Sequence, residues 1–210
     1  MIIAFSGIDG TGKSTYVDLM YKRCSDSGVR CRKVELGDYL ILKYFLAPLR
    51  KNKFSKKTSE NTFLNGRKNK SSLKKMWVVV AIFDTLLFYT YIKLFSILGY
   101  IVICDRYFTD RIAGLHYYGY SNSYLNALYT SLMPHPDYLF LLTSDPKTSQ
   151  KREQGDQHPL EFYEKLAKIL DLVTNKIDAV RINTAEKSVE EVFSIISTSI
   201  QLPTHEKHHK

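Results

Sequence analysis

Only three cysteines, Cys24, Cys31 and Cys104, occur in this 210-residue chain, and no two are spaced as C-x-x-C. An odd count without that spacing argues against both a disulfide framework and a zinc site, and makes a reducing, cytoplasmic setting the default. Acidic residues are scarce too, 21 against 30 Lys and Arg, leaving a formal charge of +9. Such a surplus suits a protein that handles polyphosphates as well as one that binds nucleic acid, so charge by itself names no function. It is concentrated over residues 50–75, where Lys51, Lys53, Lys56, Lys57, Arg67, Lys68, Lys70, Lys74 and Lys75 meet only Glu60. A solvated flexible insert is the simplest reading of that run, and nucleic acid is the disfavoured partner.

Long uninterrupted hydrophobic runs are missing as well. Residues 77–98 come nearest, but Asp84 and Lys93 interrupt them. A buried helix crossing the domain is expected there rather than a membrane span. A signal peptide is not expected, because residues 2–5 are needed as a strand. Hydrophobic residues at 44% and charged residues at 24% then fit one folded domain of ordinary composition.

What is present begins at the N-terminus. The apolar run Ile2-Ile3-Ala4-Phe5 reads as a buried strand, and from Gly7 the chain spells G-x-x-x-x-G-K-[ST]. Glycines at 7, 10 and 12 let the backbone turn its N–H groups onto phosphate oxygens, where the following helix N-terminus adds a favourable dipole. Gly7, Ile8, Asp9, Gly10, Thr11, Gly12, Lys13, Ser14 and Thr15 are therefore the expected ATP site. Lys13 is placed on the β- and γ-phosphates and the Ser14 hydroxyl on Mg²⁺.

Further strands are predicted at 29–36, 100–104, 137–143 and 179–182. Helices are predicted after the loop, over 77–98, 110–115 and 124–133, after Asp145-Pro146, over 160–177, and near 189–200. Ser27-Gly28 and Gly99 end two of these helices. This alternation implies an α/β fold, a parallel sheet of P-loop NTPase type with helices on both faces and ligands beyond the carboxyl ends of the strands. We read residues 1–202 as a single P-loop domain with a basic insert at about 50–75 and a short lid-like segment at about 147–159. Residues 203–210 read as a disordered tail.

A second motif ends the third predicted strand. Val102-Ile103-Cys104-Asp105-Arg106-Tyr107 sets a carboxylate and a guanidinium directly after an apolar run. The carboxylate suits a Mg²⁺-bound water, and the guanidinium suits bidentate grip on a second anion.

With these two motifs, with Pro136-Asp137-Tyr138 leading to Asp145-Pro146 and Arg152, and with the closing Asn183-Thr184-Ala185 and Val189-Glu190-Glu191-Val192, the chain resembles the thymidylate kinase family of nucleoside monophosphate kinases. The resemblance implies ATP-dependent transfer to a nucleoside monophosphate, dTMP foremost, with Mg²⁺ accompanying ATP. It implies Asp9 near the acceptor's sugar and phosphate, Arg106 and Tyr107 on the acceptor, Asp105 near Mg²⁺, and Arg152 opening the lid. It also implies a homodimer through a helix face, for which the 77–98 helix is suited.

The chain departs from the family where the base is read. Thr85, beside Asp84, stands where relatives carry a thymine-reading arginine. Val34-Glu35-Leu36-Gly37-Asp38 replaces a Thr-Arg-Glu-Pro-like stretch, and Leu115-His116-Tyr117-Tyr118 replaces a base-packing Tyr-Gln pair. The catalytic set expected is Lys13, Asp105, Arg106 and Arg152. Two alternatives stay open at this point: a kinase of a deoxynucleoside or other hydroxyl acceptor, with Asp9 or Asp105 as base, and a nucleotide-binding protein with weak or no turnover.

Overall fold

Three of the five strands are apolar along almost their whole length, and these three lie at the centre of the sheet. The computed structural model describes residues 1–36, 71–117, 119, 131, 135–153, 158–175 and 177–202. Among them, β1 (Ile2–Ser6), β3 (Ile101–Asp105) and β4 (Tyr138–Thr143) are buried nearly throughout. By contrast β2 (Cys31–Glu35) and β5 (Val180–Asn183) alternate with exposed positions. A parallel strand covered on both faces must be apolar throughout, whereas an edge strand can keep charged side chains in water. The order β2-β3-β1-β4-β5, parallel at every pairing, follows that division.

Because successive strand residues point to opposite faces, the sheet feeds two cores. On one face Ile3, Phe5, Ile101, Ile103, Phe140, Leu142 and Ile182 meet α1 (Lys13–Asp26), through Tyr16, Val17, Met20 and Cys24, and α6 (Val189–Ser199), through Val192 and Ile196. On the other, Ile2, Ala4, Val102, Cys104 and Leu139 meet Phe88 and Ile92 of α2 (Ser71–Ile97) and Phe108 of α3 (Phe108–Tyr117). Leu141 packs on Ile8, Ala113 and, in α5 (Leu160–Thr174), Tyr163 and Leu170. The seven-residue α4 (Pro146–Arg152) joins β4 to α5.

Several sequence expectations have counterparts here. Each expected strand is present within two residues of its predicted ends. The predicted end of α1 is a Schellman closure: Gly28, at φ +70°, donates its N–H to Ser25 O and Val29 donates to Cys24 O. Helix α2 differs from expectation in two respects. It begins at Ser71, so the last five residues of the basic 50–75 run are helical. Over residues 82–97 it is also buried on one side only, with Phe83, Leu87, Leu94 and Ile97 exposed. No helix among the described residues is long and apolar enough to cross a membrane. The rest of the basic insert, Tyr118, nearly all of the 124–133 helix, the middle of the lid and the 203–210 tail lie outside the described residues.

Candidate active site

The chain changes direction across β1, so the crevice opens where β1, β3 and β4 end. Gly7 leaves β1, Asp105 and Arg106 leave β3, and Asp145 follows β4. The loop after Ser6 runs straight into α1, whose first turn carries no acidic side chain and whose N-cap is Gly12. Its free N–H groups are therefore open to an anion. Gly10 is indispensable to this packing, since a Cβ built on it would lie 2.0 Å from Ser149 O of α4. The Asp145 carboxylate caps α4 by accepting from the N–H groups of Lys147 (3.1 Å) and Thr148 (3.2 Å), which fixes the helix behind the loop.

Lys13 is buried and its Nζ donates to Gly7 O and Ile8 O, both at 2.8 Å, with Asp9 Oδ1 at 3.5 Å. Burial, followed by the nearby Arg106 charge, holds the Lys13 ammonium below its ordinary pKa, while Asp9, Asp110 and Asp105 act against both. Arg106 crosses from the end of β3 and donates from Nη2 to Asp9 Oδ1 at 2.5 Å. Burial would raise the pKa of Asp9, but Lys13 and Arg106 together outweigh it and hold the carboxyl below the usual range. Arg106 is the only non-glycine described residue with positive φ, at 66°. Left-handed backbone at a bulky residue is strained and persists only where its surroundings hold it, a frequent mark of a functional position.

The structure thus brings Asp9, Lys13 and Arg106 into one charged cluster, with Asp105, buried at the end of β3, among the charges acting on Lys13 and Arg106. Ser14 and Thr15 are exposed in the first turn of α1. Arg152 is held elsewhere. Its Nη1 donates to Thr184 O at 3.2 Å, and Thr184 Oγ1 donates to Thr11 O, so the guanidinium stands behind the loop, where its charge acts on the Tyr16 hydroxyl.

Tyr107 corrects an expectation. Its ring is wholly buried, edge-on to Phe108 at 5.0 Å, so no part of the side chain is open to an acceptor. Tyr117 likewise turns to α5, with its ring 4.8 Å from that of Phe162.

Two charged residues at this end of the molecule were not singled out as site residues from the sequence. Arg111 Nη1 donates to Asp84 Oδ2 at 2.8 Å, with both side chains buried, and the guanidinium lies 4.6 Å from the Phe88 ring centre. Arg111 Nε also points at Leu36 O, 3.4 Å away at the end of β2. In the sequence Asp84 reads as an interruption of an apolar run and as the neighbour of Thr85. The available signal was a lone acid in one apolar helix and a lone base in another. Asp110 is the second, and it contacts both the loop and the segment after Arg106.

A thymidylate kinase family model matches residues 5–196. The chain belongs to the thymidylate kinase family. A curated member, a probable thymidylate kinase of Sulfolobus acidocaldarius, is 27% identical over 198 residues, 91% of each chain. The solved thymidylate kinase of Ehrlichia chaffeensis superposes with a TM-score of 0.63 at 20% identity, covering 96% of this chain and 98% of that one. The Candida albicans enzyme superposes with a TM-score of 0.68 at 19% identity, covering 95% and 90%. At those identities the structural likeness establishes the fold. Within a thymidylate kinase fold, the Asp9–Lys13–Arg106 cluster lies where the glycine-rich loop after β1 meets the end of β3.

Proposed function

We propose that this chain transfers the γ-phosphoryl group of ATP to dTMP, giving ADP and dTDP. The observation that carries the reading is the 2.5 Å bridge from Arg106 to Asp9, which sets a guanidinium facing the phosphate-binding loop from the neighbouring strand. In the reaction an oxygen of the acceptor phosphate bonds to the γ-phosphorus as its bond to the β,γ-bridging oxygen breaks. The protein's task is alignment and charge neutralisation.

The loop from Gly7 to Thr15 binds the donor, and Arg106 binds the acceptor phosphate with Asp9 beside it. Lys13 leaves its loop carbonyls to meet the β- and γ-phosphates. Arg152 serves the donor side, next to Thr11 and Tyr16. Tyr107 contributes through its backbone. No group of three metal-ligating side chains exists among the described residues. That suits Mg²⁺ held mainly by phosphates and water, with the exposed Ser14 hydroxyl and the Asp105 carboxylate at hand. The ion would supply charge neutralisation between the phosphates.

A hydroxyl acceptor would need a base, and Asp9 is poorly suited because two cations keep it ionised and weakly basic. A phosphate oxygen is already an anion and needs none. We also assign the exposed apolar side of α2 to a second copy of the chain, and a cytoplasmic setting to the enzyme. A coupled ADP-release assay across dTMP, dUMP, other monophosphates and thymidine tests the reading. Turnover highest on dTMP is expected; phosphorylation of thymidine without dTMP, or ATP binding with no acceptor turned over, would overturn it.

A further inference from the structure

Asp110 performs no step in the reaction proposed above, yet its carboxylate joins the two halves of the site. Oδ1 accepts from the N–H of Gly7, 3.1 Å away at the start of the donor loop. Oδ2 accepts from the N–H of Tyr107, 2.8 Å away and directly after Arg106. The second bond is the half of a capping box that an acid at the third helical position makes to the N-cap residue. Capping accounts for it fully. The first bond lies outside any capping pattern and ties the helix to a loop 103 residues away in sequence. Alongside it, Ser6 Oγ and Thr109 Oγ1 share a hydrogen bond of 2.9 Å, with both residues fully buried. The end of β1 and the first turn of α3 are therefore pinned at two neighbouring points.

We propose that Asp110 is a positioning residue that fixes Arg106 relative to the donor loop and so sets the separation of acceptor and donor phosphates. The inference rests on the phosphoryl-transfer reading above. A carboxylate suits the task because it offers two equivalent acceptor oxygens, one for each amide, whereas Asn offers one and Ala none. The strain at Arg106 explains why such a pin is needed. A left-handed arginine released on its C-terminal side relaxes toward right-handed backbone and swings its guanidinium away from Asp9. The carboxylate also stands among the charges that act on Lys13 and Arg106, so its loss weakens the field that holds both cations in the cleft.

The test compares wild type, Asp110→Asn and Asp110→Ala in the full chain. Steady-state kinetics are run with dTMP and ATP varied separately, and amide hydrogen exchange is followed at Gly7 and Tyr107. In Asp110→Ala we expect kcat/KM for dTMP to fall by about 10- to 100-fold, the scale of a lost charge-assisted hydrogen bond, with KM for ATP moving about 3-fold or less. Asp110→Asn, which keeps shape and one acceptor oxygen, should fall between wild type and Ala and lose exchange protection at one of the two amides. A purely capping role would lower Tm and leave the acceptor and donor constants moving together. That result, or protection retained at both amides in Asp110→Ala, overturns the proposal. Should Asp110→Ala fail to fold, the Asn variant carries the same comparison. The exchange readout does not depend on the acceptor. A wild type that phosphorylates no monophosphate therefore defeats the functional reading while the Asp110 pin is still judged by its amides.

Discussion

In the loop between β1 and α1 the polar contacts are local, with Lys13 Nζ bonded to the carbonyls of Gly7 and Ile8. Where α2 meets α3 the charged contact joins two buried side chains 27 residues apart, Arg111 and Asp84, drawn together only by folding. Phosphate recognition needs backbone N–H groups, a turn that only glycine allows and one cation, so its requirements are written as a fixed local spacing. A buried ion pair such as Arg111–Asp84 uses side chains from separate helices, and no spacing in the chain records it.

The contrast can be broken most forcefully at Lys13. Lys13→Ala should lower kcat by about a thousandfold or more in the ADP-release assay with little change in Tm, since one positioned charge is worth that scale in a water-poor site. Substantial residual activity would mean that the loop merely binds.

At the other end the first effect expected is on stability. Arg111→Met removes the guanidinium bonded to the buried Asp84 carboxylate, a loss of the kind that costs about 3–5 kcal/mol. For a domain of this size Tm should then fall by roughly 10 °C in a thermal melt. The double variant Asp84→Leu with Arg111→Met should recover most of the loss. An added rise in the dTMP KM of the folded double variant would extend the pair's role from packing to substrate.

Smaller effects mark the regions away from the cleft. Ser188 caps α6 by accepting from Glu191 N, while Glu191 accepts from Ser188 N. Ser188→Ala should lower Tm by about 2–4 °C and leave kcat unchanged.

The smallest effect is in pH dependence. Asp9 has its folded pKa below its unfolded one, so its pairing stabilises the fold above the unfolded value, ~4, and that contribution is lost as pH falls through the folded value. Asp9→Asn should therefore flatten the decline of stability below about pH 4, read by denaturant titration at stepped pH. An unchanged acid limb would place the Asp9 charge outside the cluster.

The same contrast explains what could be read from the chain beforehand. Strands β1, β3 and β4 are continuous apolar runs, so the sheet is legible, and the glycine-rich loop and the Asp105-Arg106 pair stand at the ends of two of them. The edge strands β2 and β5 are legible as well, and across all five strands the predicted ends lie within two residues of the observed ones. The acceptor role of Tyr107 comes from the family resemblance alone, and its side chain, directly after the left-handed Arg106, packs in the core. Asp110 and Arg111 went unassigned because their partners, Gly7, Asp84 and Leu36, are distant in sequence. Helix α2 reads from the sequence as a buried helix crossing the domain, and its placement over one face of the sheet leaves Phe83, Leu87, Leu94 and Ile97 outside. Composition cannot tell a helix lying on a sheet from one passing through a core.

The central claim is that Arg106 holds an anion opposite the donor loop, and the affinities of dTMP and thymidine for wild type and Arg106→Ala, by calorimetry with a non-hydrolysable ATP analogue bound, test it most directly. Wild type should bind dTMP about 100-fold or more tightly than thymidine, and Arg106→Ala should lose most of that preference while binding the ATP analogue as before. A preference for dTMP that survives intact in Arg106→Ala would contradict the assignment.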